Sequence, residues 1–334
     1  MKFLLLVLLL AVQHLAVGAP RDTQSGAKGY DFVIAKDGSG NFKTVQEALN
    51  AMPDSSGKRT LIFIKNGIYK EKLVLPPSKI NVTIIGENVD SVVLTYDDHS
   101  GKGTGKDTLN TFTSYSFSIQ ADGFIAENIT FENSAGRYAG QAVAVAIKSD
   151  KVIFKHCRLM GNQDTFFTEG TGRVYVDSCY IEGTTDFTFG SSITVFQDCT
   201  LHSKKNSHVT AASTPQGNKY GYVFLNCKLT AADSINKVSL GRPWRPYARV
   251  VYLKCEIGSH IIPGGWNNWR NPENEKTAYY AEYKCSGPGY KPDERVPWSK
   301  QLTDVEAAEY TLDKIFAANS AAIPYSSDWI PYAK

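Results

Sequence analysis

The chain has 334 residues, and its 36 basic and 33 acidic side chains leave a net charge of only +3. This balance excludes the polybasic surface that nucleic-acid-binding proteins carry, so we expect no nucleic-acid partner. The length allows one large domain or two ordinary domains, and composition alone does not separate these possibilities.

The first 18 residues have the three parts of a secretory signal. Lys2 is followed by an apolar run over residues 3–12 and by small residues around Gly18, after which we expect cleavage. The alternative, a buried N-terminal strand, would require an alternation and turn residues that this run lacks. No later segment is apolar enough to span a bilayer. The mature chain, residues 19–334, is therefore predicted to be one secreted, extracellular domain that is free of the membrane. We also expect it to be a monomer.

Helices are predicted near the two ends of the mature chain. A capping box that begins at Thr44 predicts a helix through Met52. Near the C-terminus, Thr303 can cap a helix over about residues 304–318. Such helices can cover the two open ends of a stack of strands.

A short strand pattern recurs around five cysteines between these two helices. Each copy has apolar residues, two mostly polar residues, Cys, one variable residue and then Leu or Ile, and Ile129 takes the Cys place in a further copy upstream. From Ile129 to Cys255, successive copies are 28, 22, 20, 28 and 28 residues apart. A repeat of this period predicts a solenoid. The Val, Ile, Phe and Tyr content favours a parallel β-helix over an antiparallel sandwich, whose hairpins would need two-residue turns.

The cysteines of the repeat are predicted to form a ladder that faces inward. Equivalent residues of stacked coils lie about 4.8 Å apart. That distance allows either free buried thiols or an occasional disulfide, and the sequence leaves this open. The members of the ladder are Cys157, Cys179, Cys199, Cys227 and Cys255. Because no Cys-x-x-Cys occurs, we expect no zinc site of that type.

Two aspartates are the best candidates for chemistry. The sequence contains neither Gly-x-Ser-x-Gly nor His-Glu-x-x-His, which leaves carboxylates as candidate catalytic groups. Asp164 and Asp186 are 22 residues apart, as are Cys157 and Cys179, so the two aspartates should occupy matching places on adjacent coils. Two close carboxylates cannot both ionise freely, which suits a nucleophile beside a general acid. The alternative is a pair of coil-turn aspartates that bond their own backbone.

Six segments resemble, in order, motifs of the pectin methylesterase family. They are DGSGNFKTVQ (37–46), GIYKE (67–71), QAVA (141–144), QDTF (163–166), DFTFG (186–190) and LGRPW (240–244). The resemblance covers nearly the whole mature chain and departs at Thr188, where the family usually has an aliphatic residue. It implies an all-β, right-handed parallel β-helix that hydrolyses the C6 methyl esters of homogalacturonan (pectin) to pectate and methanol, with no metal and no cofactor.

The resemblance also implies a role for each matching residue. Asp186 would be the nucleophile, and Asp164 would first protonate methanol and then activate water. Arg242 can hold Asp186 ionised and oriented through a two-pronged hydrogen bond. Gln141 and Gln163 match the glutamines that stabilise the oxyanion. The aromatic residues that match the substrate cleft are Phe112, Trp244 and Trp266.

Two other functions remain open from the sequence. A pectate lyase-like enzyme on the same fold would need a calcium-binding acidic cluster and a basic proton abstractor, and neither is evident next to Asp164. A non-catalytic polysaccharide-binding β-helix would keep the cleft but lose the chemistry. Methanol release from methylated pectin separates these possibilities from an esterase.

Overall fold

Short parallel strands stacked in successive coils make up most of this computed structural model, which describes residues 29–105, 107–317 and 328–331. Within these residues the strands form three sheets. The first sheet contains Phe32–Ile34 (β1), Thr60–Ile64 (β2), Val82–Gly86 (β5), Ile125–Glu127 (β8), Val152–Lys155 (β11), Arg173–Asp177 (β14), Ile193–Gln197 (β17), Tyr222–Leu225 (β20), Arg249–Leu253 (β23), Tyr279–Tyr283 (β25) and Lys300–Gln301 (β26).

The other two sheets complete each coil. The second sheet contains Gly67–Lys70 (β3), Val92–Tyr96 (β6), Thr130–Asn133 (β9), Arg158–Met160 (β12), Tyr180–Gly183 (β15), Thr200–Ser203 (β18), Lys228–Ala231 (β21) and Glu256–Ile257 (β24). The third sheet contains Leu73–Leu75 (β4), Phe117–Ile119 (β7), Val145–Ile147 (β10), Phe166–Thr168 (β13), Thr188–Gly190 (β16), His208–Ala212 (β19) and Ser239–Pro243 (β22). The predicted all-β, right-handed parallel β-helix is confirmed.

The cysteine ladder lies inside the helix, as its spacing predicts. All the cysteines are buried and free, and Cys285 extends the ladder by one coil. The Cys157 backbone N–H donates to Cys179 Sγ at 3.3 Å, so neighbouring rungs are in contact. The residue before each cysteine has a left-handed φ, between 44° and 54°, which bends the chain and turns the thiol inward. Burial raises the pKa of the Cys179 and Cys199 thiols, which makes these thiols unreactive.

The N-terminal end of the stack is covered by the helix Val45–Ala51 (α1). Thr44 is its N-cap, and the helix ends one residue earlier than predicted, because Met52 is extended. Glu71 also caps this helix: its carboxylate accepts the Val45 and Gln46 N–H groups at 2.9 and 3.0 Å. The 67–71 motif therefore has a structural role at this end of the molecule.

The C-terminal segment differs from the single helix predicted over residues 304–318. It forms two short helices, Asp304–Ala307 (α2) and Leu312–Ala317 (α3), and Ala318 lies outside the described residues. Two hydrogen bonds accompany the break: the Glu309 carbonyl accepts the hydroxyl of Tyr220 from another coil at 2.7 Å, and Thr311 Oγ1 accepts the Lys314 N–H at the start of α3. The predicted Thr303 cap is confirmed as a full capping box.

The remaining helical turns are the 3₁₀ segments Thr111–Thr113 (η1), Pro272–Lys276 (η2) and Pro292–Glu294 (η3). In the described part of the chain, no helix has the length and apolar character needed to cross a membrane. The predicted signal over residues 1–18 lies outside the described residues.

A buried ion pair fixes the last coils. Arg295 donates to Glu282 through two hydrogen bonds of 2.7 and 3.0 Å, and both side chains are almost fully buried. We expect Arg295→Met to lower the free energy of unfolding by about 3–5 kcal/mol, because the Glu282 carboxylate would be left buried and unpaired. Urea unfolding checks this. Lys276→Met, which removes the exposed pair with Glu273, is the control and should change little. Equal losses in both variants would contradict this explanation.

Candidate active site

A cleft of about 350 Å³ opens on the outer side of the third sheet, across several coils. It brings together seven of the eight residues that the sequence predicts for the site. The lining residues are Thr111, Phe112, Gln141, Gln163, Asp164, Asp186, Phe189, Ala211, Arg242, Trp244 and Trp269.

Asp164 and Asp186 occupy matching turns on adjacent coils, as their spacing predicts. Both have a left-handed φ, 64° and 50°, which aspartate tolerates better than most residues. The Asp164 N–H donates to the Thr185 carbonyl at 3.0 Å, and the Asp186 N–H donates to the His208 carbonyl at 2.8 Å. These backbone hydrogen bonds fix each aspartate against the next coil, so the paired carboxylates have defined positions.

Arg242 lies on β22, in a later coil, and its side chain reaches back to bind the Asp186 carboxylate. Its Nε and Nη2 donate to Asp186 Oδ1 and Oδ2 at 3.0 and 2.6 Å. The Trp269 ring lies 3.7 Å from the Arg242 guanidinium carbon and covers the flat face of that group. The two hydrogen bonds from Arg242 and the covering Trp269 ring orient the Asp186 carboxylate, and the guanidinium favours its ionised form.

The two aspartates differ in their electrostatic environment. Burial raises the pKa of Asp164 well above its usual range, and the neighbouring Asp186 charge raises it further. Burial also raises the pKa of Asp186, but the hydrogen bonds and charge of Arg242 oppose this rise. Among the described residues, the Asp164 side chain has no hydrogen-bond donor comparable to Arg242. Asp164 is therefore the carboxyl that keeps a proton when Asp186 is ionised.

Gln141 and Gln163 lie side by side at the edge of the same cleft. The two residues form a parallel β-bridge, and the Ala142 N–H donates to the Gln163 carbonyl at 3.0 Å. Within the described residues, neither side-chain amide has a protein partner, so its N–H donors are available to a ligand in the cleft. Two such donors beside paired carboxylates can stabilise a developing negative charge.

Aromatic rings form one wall of the cleft. Phe112 lies on η1, which Asn110 caps, and this residue is 39% exposed. It lies 6.3 Å from the Trp244 ring and 5.3 Å from Phe167, while Phe189 lies 5.9 Å from Trp244. An exposed ring supported by buried rings offers a rigid apolar surface to a sugar.

The prediction that Trp266 lines the cleft is wrong. Trp266 is 3% exposed and packs inside the β-helix, with its ring 4.5 Å from Tyr280 and 5.9 Å from Tyr252. Its neighbours Gly265 and Asn267 pair with the strand below, which directs its side chain inward. Trp269, three residues later, lines the cleft instead.

Packing requires glycine at the last position of the 186–190 segment. Gly190 has a φ of 123°, and a Cβ there would lie 1.9 Å from the Thr168 carbonyl oxygen, so no other residue fits. Thr188, where the segment departs from the family, is buried, and its hydroxyl donates to the Val209 carbonyl at 3.2 Å. The hydroxyl is therefore satisfied away from the carboxylates.

A parallel β-helix with a paired-carboxylate cleft is the class of protein that this fold and site define. In the described ranges, no group of three or more His, Cys, Asp or Glu side chains could hold a metal ion. The arrangement offers one carboxylate that favours its ionised form, one carboxyl that favours its proton, and two amide donors.

Comparisons with known proteins assign the family. The pectinesterase family model matches residues 31–319. Pectinesterase 31 of Arabidopsis thaliana is 39% identical over 288 residues, which is 83% of this chain and 89% of that protein. The chain belongs to the pectinesterase family, and it is a carboxylic ester hydrolase.

Solved structures agree with this assignment. Pectin methylesterase from carrot has a TM-score of 0.81 and 32% identity, covering 91% of this chain and 99% of that chain. A pectin methylesterase in complex with a hexasaccharide has a TM-score of 0.77 and 28% identity, covering 89% of this chain and 100% of that chain. The predicted family and esterase function are confirmed.

Proposed function

We propose that this enzyme removes the C6 methyl esters of homogalacturonan through an acyl-enzyme on Asp186. The proposal rests on the contrast between the two aspartates. Arg242 donates two hydrogen bonds to the Asp186 carboxylate, whereas the neighbouring Asp164 is a buried carboxyl with a raised pKa. One carboxylate is thus kept as a nucleophile and the other as an acid.

Acylation uses four groups of the cleft. An ionised Asp186 oxygen attacks the ester carbonyl carbon, and the amides of Gln141 and Gln163 stabilise the oxyanion. The C6–O bond to the methoxy group then breaks, and the leaving oxygen takes the proton of Asp164, which releases methanol. This leaves a mixed anhydride between the galacturonyl group and Asp186, and an ionised Asp164.

Deacylation reverses the role of Asp164. Its carboxylate takes a proton from water, and the resulting hydroxide attacks the galacturonyl carbonyl. The anhydride breaks, which restores the Asp186 carboxylate and leaves the sugar as a free acid. Each cycle therefore consumes one ester and one water and yields one carboxylic acid and one methanol.

The proposed substrate is the methyl-esterified polysaccharide itself. The cleft is open and lined by Phe112 and Trp244, and the related pectin methylesterase was solved with a hexasaccharide. We also propose that the enzyme acts outside the cell as a monomer. Residues 1–18 have the pattern of a secretory signal, and plant pectinesterases are among the relatives.

The purified mature protein incubated with highly methylated pectin tests this function. We expect methanol and new carboxylates in equal amounts, with no new unsaturated chain ends. Unsaturated ends without methanol would indicate a lyase, and binding without either product would indicate a non-catalytic protein.

Asp164→Asn should make the protein more stable at neutral pH. A carboxyl whose folded-state pKa is raised above its ordinary value of 3.8 contributes fully to stability below that value and loses this contribution as pH rises through the raised pKa. At pH 7 the folded protein therefore bears the cost of ionising the buried Asp164 carboxyl, and Asn, which has no proton to lose, removes that cost. We expect a higher melting temperature of Asp164→Asn at pH 7 and no gain near pH 3. Asp198→Asn, at an exposed coil turn with a φ of 52°, is the control. A lower melting temperature of Asp164→Asn at pH 7 would contradict the raised pKa.

A further inference from the structure

The side chain of Asn133 joins three segments of the chain close to the catalytic cleft. Asn133 is the last residue of β9, is 3% exposed and is not one of the residues that line the cleft. Its Nδ2 donates to the carbonyl oxygens of Asp98, Ser114 and Val143 at 2.9, 3.0 and 3.0 Å. Its Oδ1 accepts the Ala135 N–H at 3.0 Å. Two N–H groups therefore serve three buried acceptors, and one N–H is shared between two carbonyls.

The Val143 carbonyl belongs to the segment that carries Gln141. This carbonyl also accepts the Ser116 N–H at 2.9 Å, and the Val143 N–H donates to Ser114 Oγ at 3.2 Å. The backbone two residues after Gln141 is thus bonded on both sides. The Gln141 carbonyl in turn accepts the Ser100 N–H at 2.8 Å. The place of the Gln141 amide in the cleft depends on these bonds.

The Ser114 carbonyl belongs to the end of η1, the helical turn that carries Phe112. Ser114 Oγ donates to the Thr111 carbonyl at 2.7 Å. The Lys72 ammonium donates to the Thr113 carbonyl at 2.8 Å. The bond from the buried asparagine therefore connects the Phe112 wall of the cleft to the segment that carries the oxyanion glutamine.

The Asp98 carbonyl belongs to the loop that carries Ser100. Two ion pairs fix this loop, because the Asp98 carboxylate lies 2.5 Å from Lys72 Nζ and 2.9 Å from Lys102 Nζ. Lys72 thus bonds both this loop and η1. All three carbonyls that accept from Asn133 come from segments that are themselves held in place.

We propose that Asn133 is a positioning residue that fixes the oxyanion donor Gln141 relative to the wall that carries Phe112. This inference rests on the proposed function, which gives Gln141 its role. Without a shared donor, three buried carbonyl oxygens are left unsatisfied and repel one another, so the segments move apart. An oxyanion donor acts only at short range and in a fixed direction, so this movement raises the barrier of acylation.

Asn133→Asp tests the proposal, because it keeps the shape of the side chain and replaces the N–H donors by an oxygen. We expect kcat on methylated pectin to fall by about 10²-fold as Gln141 is displaced. We expect KM to rise by about threefold, because Phe112 moves with η1. A smaller fraction of folded enzyme would lower kcat and leave KM unchanged. An unchanged KM would therefore overturn the inference.

A double-mutant cycle with Gln141→Ala shows whether Asn133 acts through Gln141. Gln141→Ala alone should lower kcat by about 10²–10³-fold. In that background, Asn133→Asp should lower kcat by less than about threefold, because the group that it positions is already absent. If the loss from Asn133→Asp is repeated in full, the two residues act independently and the inference fails.

Thr130→Val is the matched control. Thr130 begins β9 and is 4% exposed, and its Oγ1 donates to the Val89 carbonyl at 2.6 Å. Neither Thr130 nor Val89 lines the cleft. This variant loses a buried hydrogen bond from the same strand, so its melting temperature should fall while kcat and KM stay at the wild-type values. A loss of kcat equal to that of Asn133→Asp would show that any weakening of β9 impairs turnover, which contradicts a specific role of Asn133.

Ser114→Ala is a second variant that keeps the test valid if Asn133→Asp does not fold. It removes the Oγ that joins the Thr111 carbonyl to the Val143 N–H. We expect kcat to fall by about tenfold, the effect of one buried hydrogen bond, with the same rise in KM and the same dependence on Gln141. Wild-type kcat and KM in Ser114→Ala would overturn the inference.

Amide hydrogen exchange separates this inference from the proposed function, because exchange needs no catalysis. Peptides that cover residues 111–116 and 141–144 should exchange faster in Asn133→Asp than in the wild type and in Thr130→Val. If that difference is present but the wild type releases no methanol, the proposed function fails alone. If methanol is released and these peptides exchange equally in all three proteins, the positioning role of Asn133 fails alone.

Discussion

Asp186→Asn lowers turnover on methylated pectin by several powers of ten. The amide cannot attack the ester carbonyl, so the covalent route is closed and only the binding and oxyanion groups remain. Methanol release by the purified variant measures the loss. Since the substitution also leaves Arg242 without its carboxylate partner, circular dichroism must show that the variant is folded.

Asp198→Asn is the matched control for this variant. Asp198 has a left-handed φ of 52°, and its N–H donates to the Leu225 carbonyl of the next coil at 2.9 Å, as the Asp186 N–H does to His208. Its exposed side chain lies at a corner of the first sheet, so its activity should stay at the wild-type level. A folded Asp186→Asn protein with near-normal turnover would show that Asp186 is not the nucleophile.

Asp164→Asn lowers turnover on methyl esters by about 10²–10⁴-fold, because proton transfer is lost while the nucleophile remains. An ester with a better leaving group needs less protonation, so its acylation rate should recover in this variant. Deacylation still lacks its base, and the recovery should appear as a burst of one leaving group per enzyme, followed by slow turnover. Stopped-flow measurement of an activated galacturonate ester records the burst.

Comparing Asp164→Asn with Asp186→Asn tests which aspartate is the acid and which is the nucleophile. The activated ester should restore acylation in Asp164→Asn and should not restore it in Asp186→Asn. An equal response of both variants to the leaving group would mean that the two aspartates do not divide the roles of acid and nucleophile.

Most of the fold follows from the repeat in the sequence. Equal steps from Cys157 to Cys179 and from Asp164 to Asp186 predict matching coils, because residues that stack in a β-helix keep a constant offset. Arg242 is different: it lies 56 residues after Asp186, and spacing alone does not pair them. Only the resemblance of its segment to the family indicated that contact.

The wrong predictions for Trp266 and for the C-terminal helix have a common physical origin. Trp266 and Trp269 are the same residue type, and only the backbone pairing of Gly241 with Trp266 decides which ring faces the interior. The break between α2 and α3 likewise depends on the Tyr220 hydroxyl, which comes from another coil. Long-range contacts of this kind leave no local pattern in the sequence. The left-handed conformations of Trp269 and Arg270 have a local cause instead, because their N–H groups donate to the side-chain oxygens of Asn267 and Asn268.

Detection of the acyl-enzyme tests the central claim most directly. Asp164→Asn is mixed with the activated ester of an oligogalacturonate, quenched in acid within the burst, and examined by intact and peptide mass spectrometry. We predict a protein heavier by one galacturonyl chain, with the added mass on the peptide that contains Asp186, and no adduct in the Asp164→Asn, Asp186→Asn double variant. A burst of leaving group with no adduct, or with the adduct on another residue, would contradict nucleophilic attack by Asp186.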